Sequence, residues 1–348
     1  MLGSVFKYSG VITKLRAMYS QILKEQDFAA LSAMTSVSEV VHYLKASPGY
    51  ADMLEGINEA AVHREMLERL FGADILRDAK KLSSMLSEKE TCMLWLFMSK
   101  YEIDLLKRAT RCVLRGTSGS EAAAANAGVG DFSGKHIDMK KCFEATSLKE
   151  LAAILKDTDY GTLFSRFAAV GSESLFDIES AHDEYYFERL RNGAKKYLSG
   201  GDRKAMIAFL SEELRVRNLL WMYRYKKYYS MTPEEIINHL ILIGGKSERQ
   251  WLLNAASLDL KELPEIAHSR AQRNIFREAG ELDWDSRLNV YLLRLYHKQL
   301  RNDAYSFSTV IAYLYLKEID INNIITVVES VRYGMEPEKI KTYLTVLR

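Results

Sequence analysis

The chain has 348 residues, of which 48% are hydrophobic and 27% are charged, and its formal net charge is +2. This composition is ordinary for a soluble globular protein, and the length predicts two or three domains or subdomains. A charge so close to balance excludes a general attraction to nucleic acid or to acidic membranes.

Helix-forming residues dominate the chain, only four prolines occur, and no long alternation of β-branched residues is present, so we predict an all-α protein. Helix starts are marked by capping boxes, in which a Ser or Thr is followed three residues later by Glu. These boxes are Ser36/Glu39, Ser87/Glu90, Ser147/Glu150 and Thr232/Glu235. Long helices are predicted over 5–24, 87–115, 173–198, 203–229, 285–302 and 305–333. Shorter helices are predicted over 36–45, 58–71, 147–156, 232–242 and 263–279.

One stretch of small residues interrupts the helices. It runs from Thr117 to Gly134, reads TSGSEAAAANAGVGDFSG, and has the composition of a flexible linker. A weaker break lies at 230–233, where a Pro begins the next helix. The breaks divide the chain into three predicted helical units, 1–125, 126–230 and 231–348.

A short polar–apolar segment, which we call the cassette, recurs in three long predicted helices. It reads YEIDLLKR from Tyr101, LRVRNLL from Leu214 and EIDINNII from Glu318. The copies lie at intervals of just over a hundred residues. Use of one supersecondary unit three times predicts a structural scaffold and argues against a single catalytic cleft.

A second similarity recurs in the same order along the chain. The segment SVSEVVHYLKASPGYADML begins at Ser36, and SLKELAAILKDTDYGTLF begins at Ser147. Each starts with a capping box and passes through Leu-Lys to a tyrosine, Tyr50 or Tyr160. A weaker version occupies 232–253, so each unit is predicted to contain a short capped helix and a long cassette helix.

The cysteines and the apolar segments indicate the environment of the protein. Cys92, Cys112 and Cys142 are too few and too widely spaced for a disulfide framework or a zinc knuckle, and are interpreted as reduced cytosolic thiols. No signal-peptide core is found at the N-terminus. The most apolar stretches, 93–98 and 236–243, are far shorter than the roughly 20 residues that span a bilayer. We therefore expect a protein that does not span a membrane.

Two Glu-x-x-His pairs give an enzymatic alternative. Glu179/His182 and Glu265/His268 each place two metal-ligating side chains on one helical face, as in di-metal carboxylate bundle proteins. Pairs of this kind also arise on solvated helix faces, and that interpretation is preferred. The leading prediction therefore has no catalytic residues, no metal and no cofactor.

A basic and aromatic segment gives a third hypothesis. Residues 191–229 contain ten Lys or Arg and three Asp or Glu, and the segment ends in WMYRYKKYY. Such a pattern can bind nucleic acid, but aromatic residues at helical spacing are more often core, with basic side chains at the rim. We expect a charged face for a protein partner and no nucleic acid.

The chain resembles the C subunit of V-type and A-type ATPases or ATP synthases, whose family includes the eukaryotic d subunit. Besides the cassettes, the resemblance rests on 14–18 (KLRAM), 43–50, 316–334 and 337–340. It implies three similar helical bundles in a pseudo-threefold funnel without chemistry of its own. It also implies a central-stalk socket that grips the rotor shaft, made by the D and F subunits, and rests on the membrane proteolipid ring.

The same resemblance implies the place of the protein in its complex. One copy is expected per complex, peripheral on the cytoplasmic face of the membrane, and a monomer when isolated. The complex would link proton or sodium transport to ATP hydrolysis or synthesis.

Matching positions of the cassettes carry different charges, which an asymmetric shaft would explain. Asp320 and Asn323 can bond to each other, to a neighbouring helix end or to a partner. In the first cassette Leu105 replaces an expected Asn. The residues predicted at the partner interface are Arg111, Arg215, Arg224, Asp320 and Asn323.

Overall fold

The described part of the chain is entirely helical in its regular structure. The computed structural model describes residues 2–59, 62–125, 137–170, 175–242, 246–263, 284–302 and 305–347. No strand occurs in these ranges, which confirms the predicted all-α class.

The described residues form seventeen helices. The first six are α1 (Leu2–Tyr19), α2 (Glu25–Ser32), α3 (Val37–Ala46), α4 (Ala51–Leu54), α5 (Arg64–Ser83) and α6 (Glu88–Arg115). The next six are α7 (Ser120–Ala125), α8 (Met139–Glu144), α9 (Leu148–Leu155), α10 (Gly161–Val170), α11 (Leu175–Tyr197) and α12 (Gly200–Tyr228). The remaining described helices are α13 (Pro233–His239), α14 (Lys246–Ser257), α15 (Trp284–Asn302), α16 (Phe307–Arg332) and α17 (Pro337–Tyr343).

The predicted capping signals begin the helices where expected, and two of them share an unpredicted detail. The boxes of α6 and α13 are complete. Ser36 and Ser147 accept the backbone N–H of the glutamate three residues on. The carboxylate of that glutamate, however, accepts the backbone N–H of the residue before the serine, Thr35 or Thr146, at 2.9 Å in both cases. The shared geometry strengthens the similarity between these two parts of the chain.

Some predicted boundaries were wrong. The helix predicted over 58–71 is α5, which begins at Arg64 and extends to Ser83. Its second half depends on distant partners, because Lys317 and Tyr313 of α16 bind Asp74 and Asp78 there. Helices α2, α4, α8, α10, α14 and α17 lie outside the predicted helix ranges.

Two further predictions concern stretches that lie partly or largely outside the described residues. The start of the predicted linker forms α7, where Ala123 is buried, and residues 126–134 lie outside the described ranges. The helix predicted over 263–279 also lies outside them, after its first residue.

Helix α16 occupies the centre of the molecule. The spacing of Phe307, Ile311, Leu314, Ile321, Ile324, Val328 and Val331 predicts a single apolar stripe. In the structure, every residue from Phe307 to Lys317 is buried. The reason is that α16 packs against α1, α5, α6, α12 and α15, so that no side of its first half meets solvent. When a helix is surrounded on all sides, its apolar residues need not be confined to one stripe of its surface.

The three cassette helices α6, α12 and α16 meet at their N-terminal ends. The Tyr8 hydroxyl of α1 lies within hydrogen-bond distance of two carboxylates, Glu90 in the first turn of α6 and, at 2.9 Å, Asp202 in the first turn of α12. Asp202 also accepts the N–H of Phe307, the first residue of α16, at 3.3 Å. One tyrosine and one carboxylate therefore connect the starts of all three helices.

The cassette helices are also connected by a cycle of contacts. α6 packs against α11, α12 packs against α15, and α16 packs against α5. In each case the partner is the long helix that precedes another cassette helix along the chain, and the last contact returns to the first. The cycle agrees with three similar units, whose boundaries at 1–125, 126–230 and 231–348 stay a prediction.

Candidate functional site

A cavity of about 480 Å³, which we call the central cavity, lies beside the middle parts of the cassette helices. Its wall includes Lys100 and Asp104 of α6, Arg217 and Trp221 of α12, and Glu318, Asn322 and Thr326 of α16. A second cavity of about 600 Å³, the α5 cavity, lies between α5, α6 and α16. The residues common to both are Asp104, Glu318, Asn322 and Thr326. The two cavities therefore form one continuous concave surface.

The cavity wall is built from matching faces of the cassette helices. Lys100 and Asp104 are four residues apart, as are Glu318 and Asn322, and this spacing places side chains on one face of a helix. Asp104, Arg217 and Asn322 occupy the same position of their cassettes. The repeat in the sequence thus becomes a repeat of cavity-facing positions.

The cavity floor contains an ion pair above aromatic rings. Lys100 pairs with Glu318 across the boundary between α6 and α16. The Lys100 ammonium also lies 4.6 Å from the ring centroids of Phe97 and Tyr315. Since a cation over a ring face is attracted by the ring quadrupole, this lysine is held on two sides.

Two other charged groups of the cavity have partners of opposite sign. Arg217 pairs with the buried Glu213 of its own helix at 2.8 Å. Asp183 of α11 pairs with Lys107 at 2.6 Å. These pairs neutralise much of the charge that the cavity presents.

Asp104 has a different environment. Its side chain is exposed within the concave wall. The surrounding protein raises the pKa of the Asp104 carboxyl, and the carboxylates of Glu318 and Asp183 add to this effect while Lys107 and Lys100 oppose it. The ionised form of Asp104 is therefore less favourable than that of an ordinary surface aspartate.

The predicted charged position two residues before Asp104 faces away from the cavity. A step of two residues turns a helix by about 200°, which reverses the direction of the side chain. In the first cassette Glu102 is buried and accepts the Tyr160 hydroxyl at 2.8 Å. In the third cassette Asp320 is buried and accepts the Tyr50 hydroxyl. The recurring tyrosines of the capped segments thus bind the cassettes of neighbouring units.

The second cassette makes the corresponding contact between units with a basic side chain in place of the acidic one. Arg215 donates from Nε and Nη2 to the Glu248 carboxylate at 2.8 and 3.0 Å. Glu248 lies on α14, in the third predicted unit. The arginine at this position therefore joins two units, as the acids do in the other cassettes.

Asn323 and its counterpart Asn218 bind backbone groups beyond the end of each cassette helix. Asn323 donates to the Thr345 carbonyl at 3.0 Å and accepts the Thr345 N–H at 2.9 Å. Asn218 makes the same pair of bonds with Ile241, at 3.0 and 3.1 Å. Of the alternatives open for Asn323, a bond to a neighbouring helix end is the one observed, and Asn323 also lines the central cavity.

The remaining predicted interface residues lie outside the central cavity wall as the described residues define it. Arg111 pairs with Glu179 of α11 at 2.5 Å. Arg224 is exposed on α12. Asp320 borders a neighbouring cavity between α1, α2, α15 and α16. The interface role of the predicted set stays a prediction. The cavity-facing positions Asp104, Arg217 and Asn322 were not predicted, although they occupy one matching position of the three cassettes.

The first Glu-x-x-His pair is engaged in structural contacts. His182 is fully buried against Phe164 and Phe167, its Nδ1–H donates to the Ile178 carbonyl at 2.7 Å, and burial lowers its pKa to about 4. Glu179 pairs with Arg111. The second pair, Glu265/His268, lies outside the described residues. Within the described ranges no group of three or more His, Cys, Asp and Glu side chains is placed to hold a metal ion.

The basic and aromatic segment packs mostly into the molecule. Tyr223 and Tyr225 are buried, and Trp221 lines the central cavity. Tyr228 and Tyr229, at the end of α12, are exposed. The segment therefore offers two exposed adjacent rings at one helix end, not a continuous stacking surface. Among the described residues no helix has the length and apolar character needed to cross a membrane.

The fold and the cavity define a helical scaffold with a concave, charged surface. The sequence matches the ATP synthase (C/AC39) subunit family over residues 11–343, and the chain belongs to this family. It is therefore a subunit of a rotary ATPase, in agreement with the resemblance seen in the sequence.

Curated relatives extend over nearly the full length of the chain. The C subunit of the A-type ATP synthase of Methanosarcina mazei is 22% identical over 344 residues, covering 98% of this chain and 93% of the relative. That of Thermococcus gammatolerans is 23% identical over 339 residues, covering 96% and 88%. That of Archaeoglobus fulgidus is 19% identical over 352 residues, covering 99% and 98%.

Proposed function

We propose that the protein is a non-catalytic coupling subunit of its rotary ATPase. In this proposal the central cavity receives the tip of the rotor shaft formed by the D and F subunits. The rest of the protein sits on the proteolipid ring at the cytoplasmic face of the membrane. Torque then passes between shaft and ring, and links proton or sodium transport to ATP hydrolysis or synthesis elsewhere in the complex.

The observation that carries the proposal is the arrangement of the cassette helices. They meet at Tyr8 and Asp202 at one end, and present matching faces to a cavity farther along. A concave surface contributed by three helices suits a helical shaft that enters along their direction. The same arrangement supports a pseudo-threefold funnel of three units.

The internal contacts of the protein suit the transmission of torque. Lateral force on one cassette helix passes to the next unit through buried bonds such as Tyr160–Glu102 and Tyr50–Asp320. Close-packed interiors have low compressibility and transmit strain. The cycle of helix contacts distributes the load over all three units.

Shaft binding tests the proposed function directly. The wild-type protein is mixed with the purified D–F shaft of its own complex, and binding is measured by calorimetry. Asn322→Trp places a large ring at the junction of the two cavities, so we expect binding to weaken by at least about tenfold through steric exclusion. Asn192→Trp, at an exposed position of α11, is the matched control and should bind like the wild type. A wild-type protein that does not bind the shaft would refute the proposed function.

A further inference from the structure

Among the described residues that line the central cavity, the charged side chains are paired at all but one position. Glu318 is paired with Lys100, Arg217 with Glu213, and Asp183 with Lys107. Among the residues that the structure describes, Asp104 forms no ion pair. It lies where the central cavity and the α5 cavity join, so it faces the space that a docked partner would fill.

The surroundings of Asp104 favour an incoming cation. Glu318 and Asp183 are close enough to repel its negative charge. The neighbouring cations Lys100 and Lys107 are already engaged with other carboxylates. A positive group from outside would therefore gain attraction from Asp104 without displacing an existing pair.

The matching positions on the other two helices differ from Asp104 in charge. Arg217 is positive and is neutralised by Glu213, while Asn322 is neutral and exposed. The three positions that the repeat makes equivalent are thus negative, positive and neutral. A basic side chain on a partner would therefore be attracted at Asp104 and would find no comparable attraction at the paired Arg217 or the neutral Asn322.

We propose that Asp104 is the docking point for a lysine or arginine at the tip of the rotor shaft, and that this contact selects one of three otherwise similar orientations of the shaft. The inference rests on the proposed function, because it takes the shaft as the occupant of the cavity. Asn322, which lines the same junction, offers an amide oxygen that can accept a second hydrogen bond from the docked group.

Charge substitutions at Asp104 test the inference. With the D–F shaft as ligand, Asp104→Asn should weaken binding by about tenfold and Asp104→Lys by about a hundredfold or more. The difference in affinity between the wild type and these variants should become smaller at high salt, because screening weakens the Asp104 contact in the wild type. Asp157→Asn and Asp157→Lys are matched controls, because Asp157 is exposed on the turn after α9, and they should bind like the wild type. Melting curves of each variant establish that it is folded.

Reversal of the charge on the shaft tests whether binding to Asp104→Lys can be restored. Each lysine and arginine at the shaft tip is changed to glutamate in turn, and one change should restore binding to Asp104→Lys. Wild-type affinity of Asp104→Lys for the shaft would overturn the inference and leave the proposed function intact. Absence of binding by the wild-type protein would instead overturn the proposed function on which the inference rests.

Discussion

At the scale of single residues, the direction of a side chain on its helix separates two roles. Asp104 and Asn322 face the cavity, whereas Glu102 and Asp320, two residues earlier, face neighbouring units. The sequence predicts the cassettes and their unequal charges. It does not show which polar position faces the cavity, because polar residues lie on both faces of each cassette helix and their partners come from distant segments.

Asp320 is the clearest example of a polar group with a structural role. Burial raises its pKa to about 7, against the opposing effects of the Tyr50 hydroxyl, Lys317 and the Leu23 N–H, while Asp27 adds to the increase. The Lys317 ammonium forms an ion pair with Asp74 at 3.2 Å, and it lies 4.1 Å from the centroid of the Tyr50 ring. The carboxyl is thus buried with incomplete compensation for its charge.

Between the two pKa values, the Asp320 carboxyl keeps its proton in the folded protein and loses it in the unfolded chain. The stability of the protein should therefore fall as the pH rises through this range. An unfolded aspartate has a pKa near 3.9, so the decrease runs from about pH 4 to about pH 7 and amounts to the order of 4 kcal/mol. Asp320→Asn keeps an acceptor for Tyr50 and removes the titration, so its melting temperature should decline less between pH 5 and pH 8. Asp157→Asn should retain the wild-type pH dependence. An identical slope for Asp320→Asn and wild type would show that Asp320 does not cause it.

At the scale of helices, the ends of the elements are fixed by bonds that repeat between units. The Asn218 and Asn323 side chains hold the segments that follow α13 and α17, and both segments leave the helix in an extended conformation. In the first cassette Leu105 occupies this position and is buried. The departure of Leu105 from the family pattern thus removes a polar clamp and leaves an apolar contact.

Replacement of one clamp by the residue of the first cassette tests its contribution. Asn218→Leu leaves the N–H and the carbonyl of Ile241 without their partners in a buried site, so unfolding free energy should fall by about 2–4 kcal/mol. Urea denaturation measures the change. Asn322→Leu, at an exposed position of α16, should alter the unfolding free energy by less than about 0.5 kcal/mol. Equal values for the two variants would show that the clamp adds no stability.

At the scale of the whole molecule, the sequence predicts the class and the starts of most long helices, because capping boxes and helical spacing are local. It does not predict the cycle of α6 on α11, α12 on α15 and α16 on α5, since these contacts join residues far apart in the chain. For the same reason it gives α16 a single apolar stripe, although that helix is surrounded. The cavity exists only where these distant contacts bring the cassettes together.

The two ends of the cassette helices differ, and the difference gives a prediction about the ring. At the end where the helices meet, Phe6 is 81% exposed, with Val5 beside it, and Met85 is also exposed just before α6. A group of exposed apolar side chains marks an interaction site more often than isolated ones do. If the shaft enters at the cavity, this opposite end is the one available to the proteolipid ring.

Phe6→Ser should therefore weaken binding to vesicles that contain the proteolipid ring by about tenfold or more, since a buried phenylalanine contributes about 2–3 kcal/mol. Binding of the D–F shaft and the melting temperature should stay unchanged, because the Phe6 side chain is largely exposed in the isolated protein. Tyr333→Ser removes a comparably exposed aromatic side chain, 75% exposed at the other end of α16, and should not affect binding to the proteolipid ring. Loss of ring binding in Tyr333→Ser, with none in Phe6→Ser, would mean that the protein stands on the ring in the opposite direction, with the cavity toward the membrane.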